Sequence, residues 1–356
     1  MTEAYINRIA TAVPPHDVHE AFLGFGRRML GGDSRRLALF DRLAQRAEIA
    51  HRWSFLSPSQ NSSDAVDGQG FYRFGHFPGT AARMQLFEET APALAAEAVA
   101  RLLPPAERRG ITHLIVTSCT GLSAPGIDLE LVWRCGLRPD IERSFVGFMG
   151  CYAAINALKL ARHIVRSEPA SRVLTVNLEL CTLHLHQTDN MEEMLSFLLF
   201  GDGCAAALIS ADPVGVEMQS FHAALVPQTE NLIRWHIREQ GFDMLLSGAV
   251  PGAIRGALAA AKSDILRGRD TSDIALWAVH PGGRTVLDAV QDAFALAQGD
   301  LNASRSVLHD YGNMSSGTVM FVLERLMRGA EAGAPGCAMA FGPGLVAETM
   351  QFRMAA

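Results

Sequence analysis

The segment ITHLIVTSC, residues 111–119, combines apolar and β-branched residues in one continuous run, which is typical of a strand buried on both faces. A second run of this kind, IALWAVH at 274–280, lies in the other half of the chain. After each run come a loop and a glycine that opens a helical pattern, Gly150 in one half and Gly312 in the other. The strand candidates are 111–119, 171–180, 204–210, 274–280 and 337–341, and the helix candidates are 153–166 and 317–328.

The residues after these two glycines, Cys151 and Asn313, are corresponding positions. Cys151 lies 40 residues after the start of the first run, and Asn313 lies 39 residues after the start of the second. Strands that alternate with helices indicate an α/β protein. We therefore predict an α/β fold of two duplicated halves, 1–213 and 214–356, in which corresponding positions approach each other where the halves meet.

Composition and charge narrow the class of protein. The chain has 356 residues, of which 49% are hydrophobic and 19% charged, so we expect a globular protein with two cores or two domains. A formal net charge of −6 gives no basic field for nucleic acid. The N-terminal segment lacks a signal-peptide pattern, and no 18-residue apolar run is present. We expect a cytoplasmic protein without a membrane span.

The cysteines are spaced too far apart for a metal site or a disulfide framework. None forms a CxxC pair or a zinc-type pattern with histidine. We expect free thiols, most of which fill space in the core. They are Cys119, Cys135, Cys151, Cys181, Cys204 and Cys337.

Three residues could carry chemistry, and each also has a structural interpretation. Cys151 is expected at the positive end of a helix, where the thiol pKa falls, or it packs beside a glycine turn. His280 ends a strand and could transfer protons, or its ring bonds to the local backbone. Asn313 could donate its amide to an anion or cap the following helix. Together, the three could form a thioester and stabilise an enolate.

Seven motifs occur in an order that resembles the type III polyketide synthases, the chalcone-synthase-like branch of the thiolase fold. The resemblance runs from about Arg42 to the C-terminus. It implies a layered αβαβα fold of two halves, coenzyme A (CoA) thioesters as substrates, no bound cofactor or metal, and a homodimer. The motifs are THLIVTSCTG (112–121), CGLRPDIERS (135–144), GC (150–151), LFGDG (199–203), VHPGGRTVLDAV (279–290), YGNMSSG (311–317) and FGPGL (341–345).

The resemblance also implies roles for the three candidate residues. Cys151 resembles the nucleophile that receives an acyl group from a starter CoA thioester. His280 and Asn313 resemble the pair that decarboxylates malonyl-CoA and holds the resulting enolate. On this basis, the predicted partners are an acyl-CoA and malonyl-CoA.

A basic segment near the N-terminus has two interpretations. It could be a solvated helix face, or it could bind the phosphates of CoA. The resemblance places Arg42 and Arg46 at basic CoA-binding positions, whereas Leu39 occupies a third such position. The segment contains Arg27, Arg28, Arg35, Arg36, Arg42, Arg46 and Arg52.

The cavity residues implied by the resemblance bear on the product. Phe200 and Met244 correspond to two gatekeepers, and Trp235 replaces a small glycine of chalcone synthase. The added bulk argues against plant-type flavonoid chemistry. It resembles bacterial alkylpyrone and alkylresorcinol synthases, which take fatty acyl starters, although a smaller cavity also suits a short triketide pyrone. The other predicted pocket residues are Cys119, Thr120, Cys181, His184 and Ser315.

The predicted function is an iterative decarboxylative condensation of malonyl-CoA onto an acyl-CoA starter. Three alternative functions remain open. The expected product is a pyrone or a resorcinol- or phloroglucinol-type compound. An initiating ketoacyl-carrier-protein synthase also has Cys, His and Asn in this order, as does a papain-like cysteine hydrolase. In the third alternative, Cys151 only packs and the site is not catalytic.

Overall fold

The computed structural model describes residues 2–59 and 65–356. At residues 195–197 it describes the backbone only. Within these ranges, no helix combines the length and apolar character that a membrane-spanning segment needs. The first half forms β1 (Tyr5–Ala12), β2 (His16–Asp17), α1 (His19–Met29), α2 (Ser34–Ala47), β3 (Trp53–Ser54), α3 (Thr80–Leu102), α4 (Pro105–Arg108), β4 (His113–Ser118), α5 (Ile127–Cys135), β5 (Glu142–Gly147), α6 (Ala153–Ser167), β6 (Val173–Leu180), α7 (Met191–Leu199) and β7 (Asp202–Ser210).

The second half continues the chain with further strands and helices. They are β8 (Val216–Leu225), β9 (Ile233–Arg238), β10 (Gly241–Leu246), α8 (Val250–Leu266), β11 (Leu276–Val279), α9 (Arg284–Phe294), α10 (Asn302–Tyr311), α11 (Thr318–Met327), β12 (Pro335–Gly342) and β13 (Val346–Met354).

The strand order shows that the two halves repeat one topology. Nine strands of the described chain form a sheet in the order β11-β12-β13-β8-β1-β7-β6-β4-β5. β4 pairs with β6 in parallel, as β11 pairs with β12. The next two pairs are antiparallel in both halves, β6–β7 and β7–β1 in the first and β12–β13 and β13–β8 in the second, whereas β5 adds a further parallel pair with β4. β1 and β8 pair antiparallel where the halves meet. β5, at the edge of the first half, is the one strand of this sheet that has no counterpart in the described part of the second half.

Two helices lie between the halves. Both α6 and α11 contact strands of both halves, and side chains such as Leu158 and Val322 are fully buried there. Alanines on the buried face of α6 allow the strands to approach closely, as Ala154 and Ala161 illustrate. α3 and α5 cover the outer face of one half, and α8 and α9 cover the other. The result is the predicted αβαβα arrangement, a thiolase-like α/β fold.

The predicted strands and helices agree with the structure. The five predicted strands correspond to β4, β6, β7, β11 and β12, and the two predicted helices correspond to α6 and α11. Strand β5 was not predicted, because its first residues, Glu142, Arg143 and Ser144, are polar and exposed at the sheet edge. A strand with an exposed polar start lacks the continuous apolar run that marks its buried neighbours. The division between the halves at residue 213 stays a prediction.

Candidate active site

Cys151 lies in a short 3-10 turn, Gly150–Tyr152, that leads directly into α6. Gly150 has a φ of +75°, and a Cβ there would lie 2.1 Å from Cδ of Pro343, so the turn requires glycine. The backbone N–H of Gly150 donates to Sγ of Cys119 at 3.0 Å. The predicted position of Cys151 at the head of a helix is therefore correct.

Tyr152, for which the sequence suggested no role, packs the last glycine-rich loop against this turn. A Cβ on Gly342 would lie 2.7 Å from Cδ1 of the Tyr152 ring. The Tyr152 hydroxyl also donates to the carbonyl oxygen of Pro343 at 3.4 Å. Tyr152 thus helps to hold the loop that forms one side of the site.

Asn313 occupies the corresponding turn in the second half. Gly312 has a φ of +67°, and a Cβ there would lie 2.7 Å from the carbonyl oxygen of Leu199. The N–H of Asn313 donates to that oxygen at 2.8 Å, and its carbonyl accepts from Gly201 N–H at 3.1 Å. These bonds form a parallel bridge between Asn313 and Phe200. The bridge joins a turn of the second half to the start of β7.

The side-chain amide of Asn313 is held at both ends. Oδ1 accepts a hydrogen bond from the Ser315 N–H at 2.9 Å, and Nδ2 donates to the carbonyl of Gly282 at 3.3 Å. Asn313 is nevertheless not the N-cap residue that the sequence suggested, because Met314 occupies that position of the 3-10 turn Ser315–Gly317 and Gly317 that of α11. In the described chain, Nδ2 makes no second hydrogen bond, so one of its N–H groups stays free.

His280 follows β11 directly and is almost fully buried. Its backbone N–H donates to Met339, which fixes the start of the loop. Among the described residues, neither ring nitrogen has a hydrogen-bond partner, so the ring does not make the local backbone bond of the structural alternative. Burial lowers the pKa of His280 to about 3, and the imidazole is therefore neutral at pH 7.

The electrostatics of Cys151 correct one expectation. Burial raises the pKa of its thiol to about 12, although a hydrogen bond from the Ser315 hydroxyl lowers it. Desolvation of the thiolate outweighs the favourable helix terminus, so the expected low pKa is wrong for the unliganded site. Cys151 and His280 are both neutral there, so the resting site holds no thiolate–imidazolium pair.

A cavity with about 560 Å³ of atom-free space, part of it open to solvent, lies in front of Cys151. Every pocket residue predicted from the sequence lines it, whereas His280 and Asn313 are buried and are not among the lining residues. The lining residues are Cys119, Thr120, Gly150, Cys151, Cys181, His184, Leu185, Phe200, Ile233, Trp235, Met244, Ser315 and Pro343.

One wall of this cavity is fixed by hydrogen bonds. Trp235 Nε1 donates to the carbonyl of Cys119 at 2.8 Å. His184 accepts from the Phe242 N–H at Nδ1, so its Nε2 carries the proton and donates to the carbonyl of Thr120 at 2.6 Å. The His184 ring stacks on Phe242 at 4.1 Å and meets Trp235 edge-on at 5.4 Å. Trp235 is therefore held in place within the cavity lining.

Glu179 is a site residue that the sequence analysis missed. It is fully buried and accepts hydrogen bonds from the Cys119 N–H, the Thr120 hydroxyl and the Ser316 hydroxyl at 2.9, 2.9 and 2.6 Å. Burial raises the pKa of this carboxyl to about 7. A charged residue inside the apolar strand 171–180 was the available signal, because such a group is buried only with partners.

The predicted CoA-binding arginines lie apart from the cavity. Arg42 and Arg46 are exposed on α2, so their assignment stays a prediction. Arg52, from the same basic segment, is fully buried. The interpretation of the whole segment as a solvated face is therefore wrong at Arg52.

The fold and the site define a thiolase-like enzyme whose cysteine faces an acyl-sized cavity. Family models described as "Chalcone and stilbene synthases", N-terminal and C-terminal domains, match residues 7–213 and 217–355. The chain belongs to this family, the type III polyketide synthases. It is an acyltransferase that condenses malonyl-CoA, with CoA thioesters as substrates.

Individual relatives agree with this assignment. "Alpha-pyrone synthesis polyketide synthase-like Pks18" of Mycobacterium tuberculosis is 34% identical over 366 residues, with 99% of this chain and 91% of the relative covered. Bisdemethoxycurcumin synthase of Oryza sativa subsp. japonica is 33% identical, with 98% and 91% covered. The crystal structure of PKS-I from the brown alga Ectocarpus siliculosus matches at TM-score 0.89 and 27% identity, with 99% of both chains covered.

A more distant structure shares the fold. The C-terminal type III polyketide synthase domain of Steely1 from Dictyostelium matches at TM-score 0.90 and 23% identity, over 99% of this chain and 100% of that domain. Family membership decides against the carrier-protein-dependent synthase and the papain-like hydrolase, whereas the catalytic role of Cys151 stays a prediction.

Proposed function

We propose that this enzyme loads a fatty acyl group from CoA onto Cys151 and extends it with malonyl-CoA to a pyrone. The observation that carries the proposal is the largely apolar cavity that joins the Cys151 thiol to a wall fixed by Trp235. An apolar cavity suits an alkyl chain. A relative named for alpha-pyrone synthesis supports the proposed ring closure.

In the first step, the thiol of Cys151 attacks the thioester carbonyl of the acyl-CoA. Its proton passes to the neutral ring of His280, whose nitrogens lack other partners among the described residues. Collapse of the tetrahedral intermediate breaks the bond to CoA. The CoA thiolate takes the proton from His280 and leaves, and the acyl group remains on Cys151.

In the second step, malonyl-CoA loses CO₂ and forms a thioester enolate. The ring of His280 and the free N–H of Asn313 stabilise its oxygen, because both are preorganised and buried. The enolate carbon attacks the acyl thioester, which expels Cys151 as a thiolate and gives a β-ketoacyl-CoA. After reloading and a further extension, the enol oxygen of the resulting diketoacyl-CoA attacks the thioester carbonyl and closes the pyrone. The bond to CoA breaks, and the CoA thiolate takes the enol proton as it leaves.

The CoA arm is proposed to extend toward Arg42 and Arg46. Both are exposed on α2 and could contact phosphates from the solvent side. A double Arg42→Gln and Arg46→Gln variant is expected to raise KM for malonyl-CoA severalfold with little change in kcat. Equal loss in kcat would argue against a purely binding role.

The homodimer is also part of the proposal, as is the cytoplasmic location expected from the sequence. β5 is an edge strand of the sheet, and Leu122, Phe145 and Met149 expose apolar side chains near it. Edge strands and exposed apolar patches are commonly covered in assemblies. Sedimentation of the wild type should give twice the chain mass, and Phe145→Glu should weaken the association. A monomeric wild type would refute this part.

The experiment that tests the function is incubation with malonyl-CoA and acyl-CoAs of increasing chain length, followed by mass spectrometry. Pyrones from medium or long acyl chains are expected, and the tandem spectra distinguish them from resorcinols. A parallel reaction with malonyl carrier protein should give no product. If no acyl-CoA yields a polyketide, the proposal is wrong.

A further inference from the structure

Arg52 is a fully buried cation behind the active site. Its Nε donates to Nδ1 of His19 at 3.0 Å and its Nη2 to the carbonyl of His19 at 3.3 Å. Nη1 donates to the carbonyl of Phe200 at 3.3 Å, and the guanidinium lies 5.3 Å from the centre of the Phe22 ring. In the described chain, no carboxylate lies within salt-bridge distance of this guanidinium.

The aliphatic stem of Arg52 packs against the bridge between Phe200 and Asn313. A Cβ on Gly312 would lie 2.8 Å from Cγ of Arg52, and a Cβ on Gly201 would lie 3.4 Å from its Cβ. The two glycines flank the bridge, one on each strand. Arg52 therefore contacts both sides of the bridge and also holds one of its carbonyl groups.

A buried charge without a carboxylate partner is costly to desolvate. Here the guanidinium contacts carbonyl oxygens, a neutral imidazole and an aromatic ring. Burial is still the main influence on the pKa of Arg52 and lowers it to about 9. A hydrophobic residue of similar length could fill the same space. What the guanidinium adds is a directional hydrogen bond to the Phe200 carbonyl, in a segment that precedes β7.

We propose that Arg52 is a positioning residue that aligns the Asn313 amide and the Phe200 gate through their shared bridge. The inference rests on the proposed role of Asn313 in decarboxylation. Arg52 is not itself a lining residue of the cavity, and it acts on the reaction through the backbone of residues 200 and 312. Cys151 belongs to a different turn and is linked to Asn313 only through Ser315, so its reactivity should depend on Arg52 far less than decarboxylation does.

The test measures malonyl-CoA decarboxylation and the rate of Cys151 alkylation by iodoacetamide in the same proteins. Arg52→Met keeps the stem but removes the hydrogen bonds, and its decarboxylation kcat should fall about tenfold or more. Arg52→Lys should fall less, because an ammonium group can reach one carbonyl. In both variants the alkylation rate should change much less than the decarboxylation kcat, and an equal fall in the two rates would overturn the inference.

Arg162 provides a matched control. It also donates from Nε and Nη2 to two backbone carbonyls, those of Met218 and Gln219, but it lies on α6 away from the cavity. Arg162→Met should leave decarboxylation unchanged. An equal loss in this variant would mean that Arg52→Met acts through general destabilisation, and the inference would fail.

A double-mutant comparison separates the inference from the proposed function. Asn313→Ala should abolish most decarboxylation, and Arg52→Met in that background should add little, since both changes affect one interaction. Independent, multiplicative losses would overturn the inference, as would wild-type decarboxylation in Arg52→Met. If Arg52→Met does not fold, Arg52→Lys decides by the same comparison. An inactive wild type would refute the proposed function itself.

Discussion

The hydroxyl of Ser315 is hydrogen-bonded to the sulfur of Cys151, so a residue of the second half contacts the nucleophile of the first. The backbone N–H of Ser315 also donates to Oδ1 of Asn313 at 2.9 Å. Ser315 has a φ of +47°, in the left-handed region, which aims its side chain and its N–H at these two partners. One serine thus links the proposed acyl carrier to the proposed amide donor.

Removal of this hydroxyl should make Cys151 less reactive. The Ser315 hydrogen bond lowers the thiol pKa, so Ser315→Ala should raise it and reduce the thiolate fraction at pH 8. Alkylation by iodoacetamide should slow by roughly threefold to tenfold, the size of one hydrogen bond. Ser306→Ala, which removes a hydroxyl on α10, is the control. An unchanged rate in Ser315→Ala would contradict the role of its hydroxyl.

The proposed division of labour predicts different losses for two substitutions. Cys151→Ala should form no polyketide but retain decarboxylation of malonyl-CoA, since the enolate does not require the thiol. His280→Ala should lose both activities by a factor of about a hundred or more. Release of CO₂ and mass spectra of the products report the two steps. Polyketide formation by Cys151→Ala would refute the nucleophile assignment.

Trp235 should limit the acyl chain. Trp235→Gly removes the indole and should raise kcat/KM for long relative to short acyl-CoAs by roughly tenfold. Trp235→Phe keeps most of the volume and loses only the hydrogen bond to the Cys119 carbonyl, so it should keep the wild-type chain-length preference. A chain-length profile of Trp235→Gly that matches the wild type would show that another residue forms the limit.

Gly150 should not tolerate a side chain. Gly150→Ala meets both a positive φ and the Pro343 ring, and it should lower the free energy of unfolding by more than ~1–2 kcal/mol. Gly256, in α8, has open space around it, and Gly256→Ala should stabilise by ~0.5–1 kcal/mol. Thermal unfolding followed by circular dichroism compares them. Equal midpoints for the two variants would contradict the structure at the Cys151 turn.

Stability should fall below pH 6.5 in part because of His184. Burial lowers the pKa of His184 to about 3, so between pH 3 and 6.5 the unfolded chain binds a proton at this residue that the folded chain does not. Its contribution is present above pH 6.5 and is lost by ~1.4 kcal/mol per pH unit as the pH falls. His184→Phe should reduce the slope between pH 5 and 6 by about this amount.

The slope, and not the absolute stability, is the informative quantity here, because His184→Phe also removes hydrogen bonds. His236→Phe alters an exposed histidine on β9 and should leave the slope unchanged. Urea unfolding at several pH values measures both variants. An unaltered slope in His184→Phe would mean that His184 is protonated in the folded protein.

Much of the fold followed from local pattern. Buried runs such as 111–119 predicted the central strands, and the matching turns at Cys151 and Asn313 predicted the duplication. The resemblance to the family predicted cavity-lining residues outside the motifs, including Trp235 and His184. The edge strand 142–147 was not predicted, because the exposed start of this strand has no apolar run. The role of Glu179 was not predicted, because its three hydrogen-bond donors come from segments that are far from it in sequence.

The order of motifs along the chain was therefore sufficient to predict the family, the paired halves and the three residues of the proposed mechanism. Periodicity and turn chemistry are local properties, and they can be recognised in one sequence. The protonation states of Cys151 and His280 depend instead on desolvation by distant segments, which reversed the expected thiolate. The burial of Arg52 behind Phe200 likewise follows from packing among three separate parts of the chain, so only the folded structure could place it there.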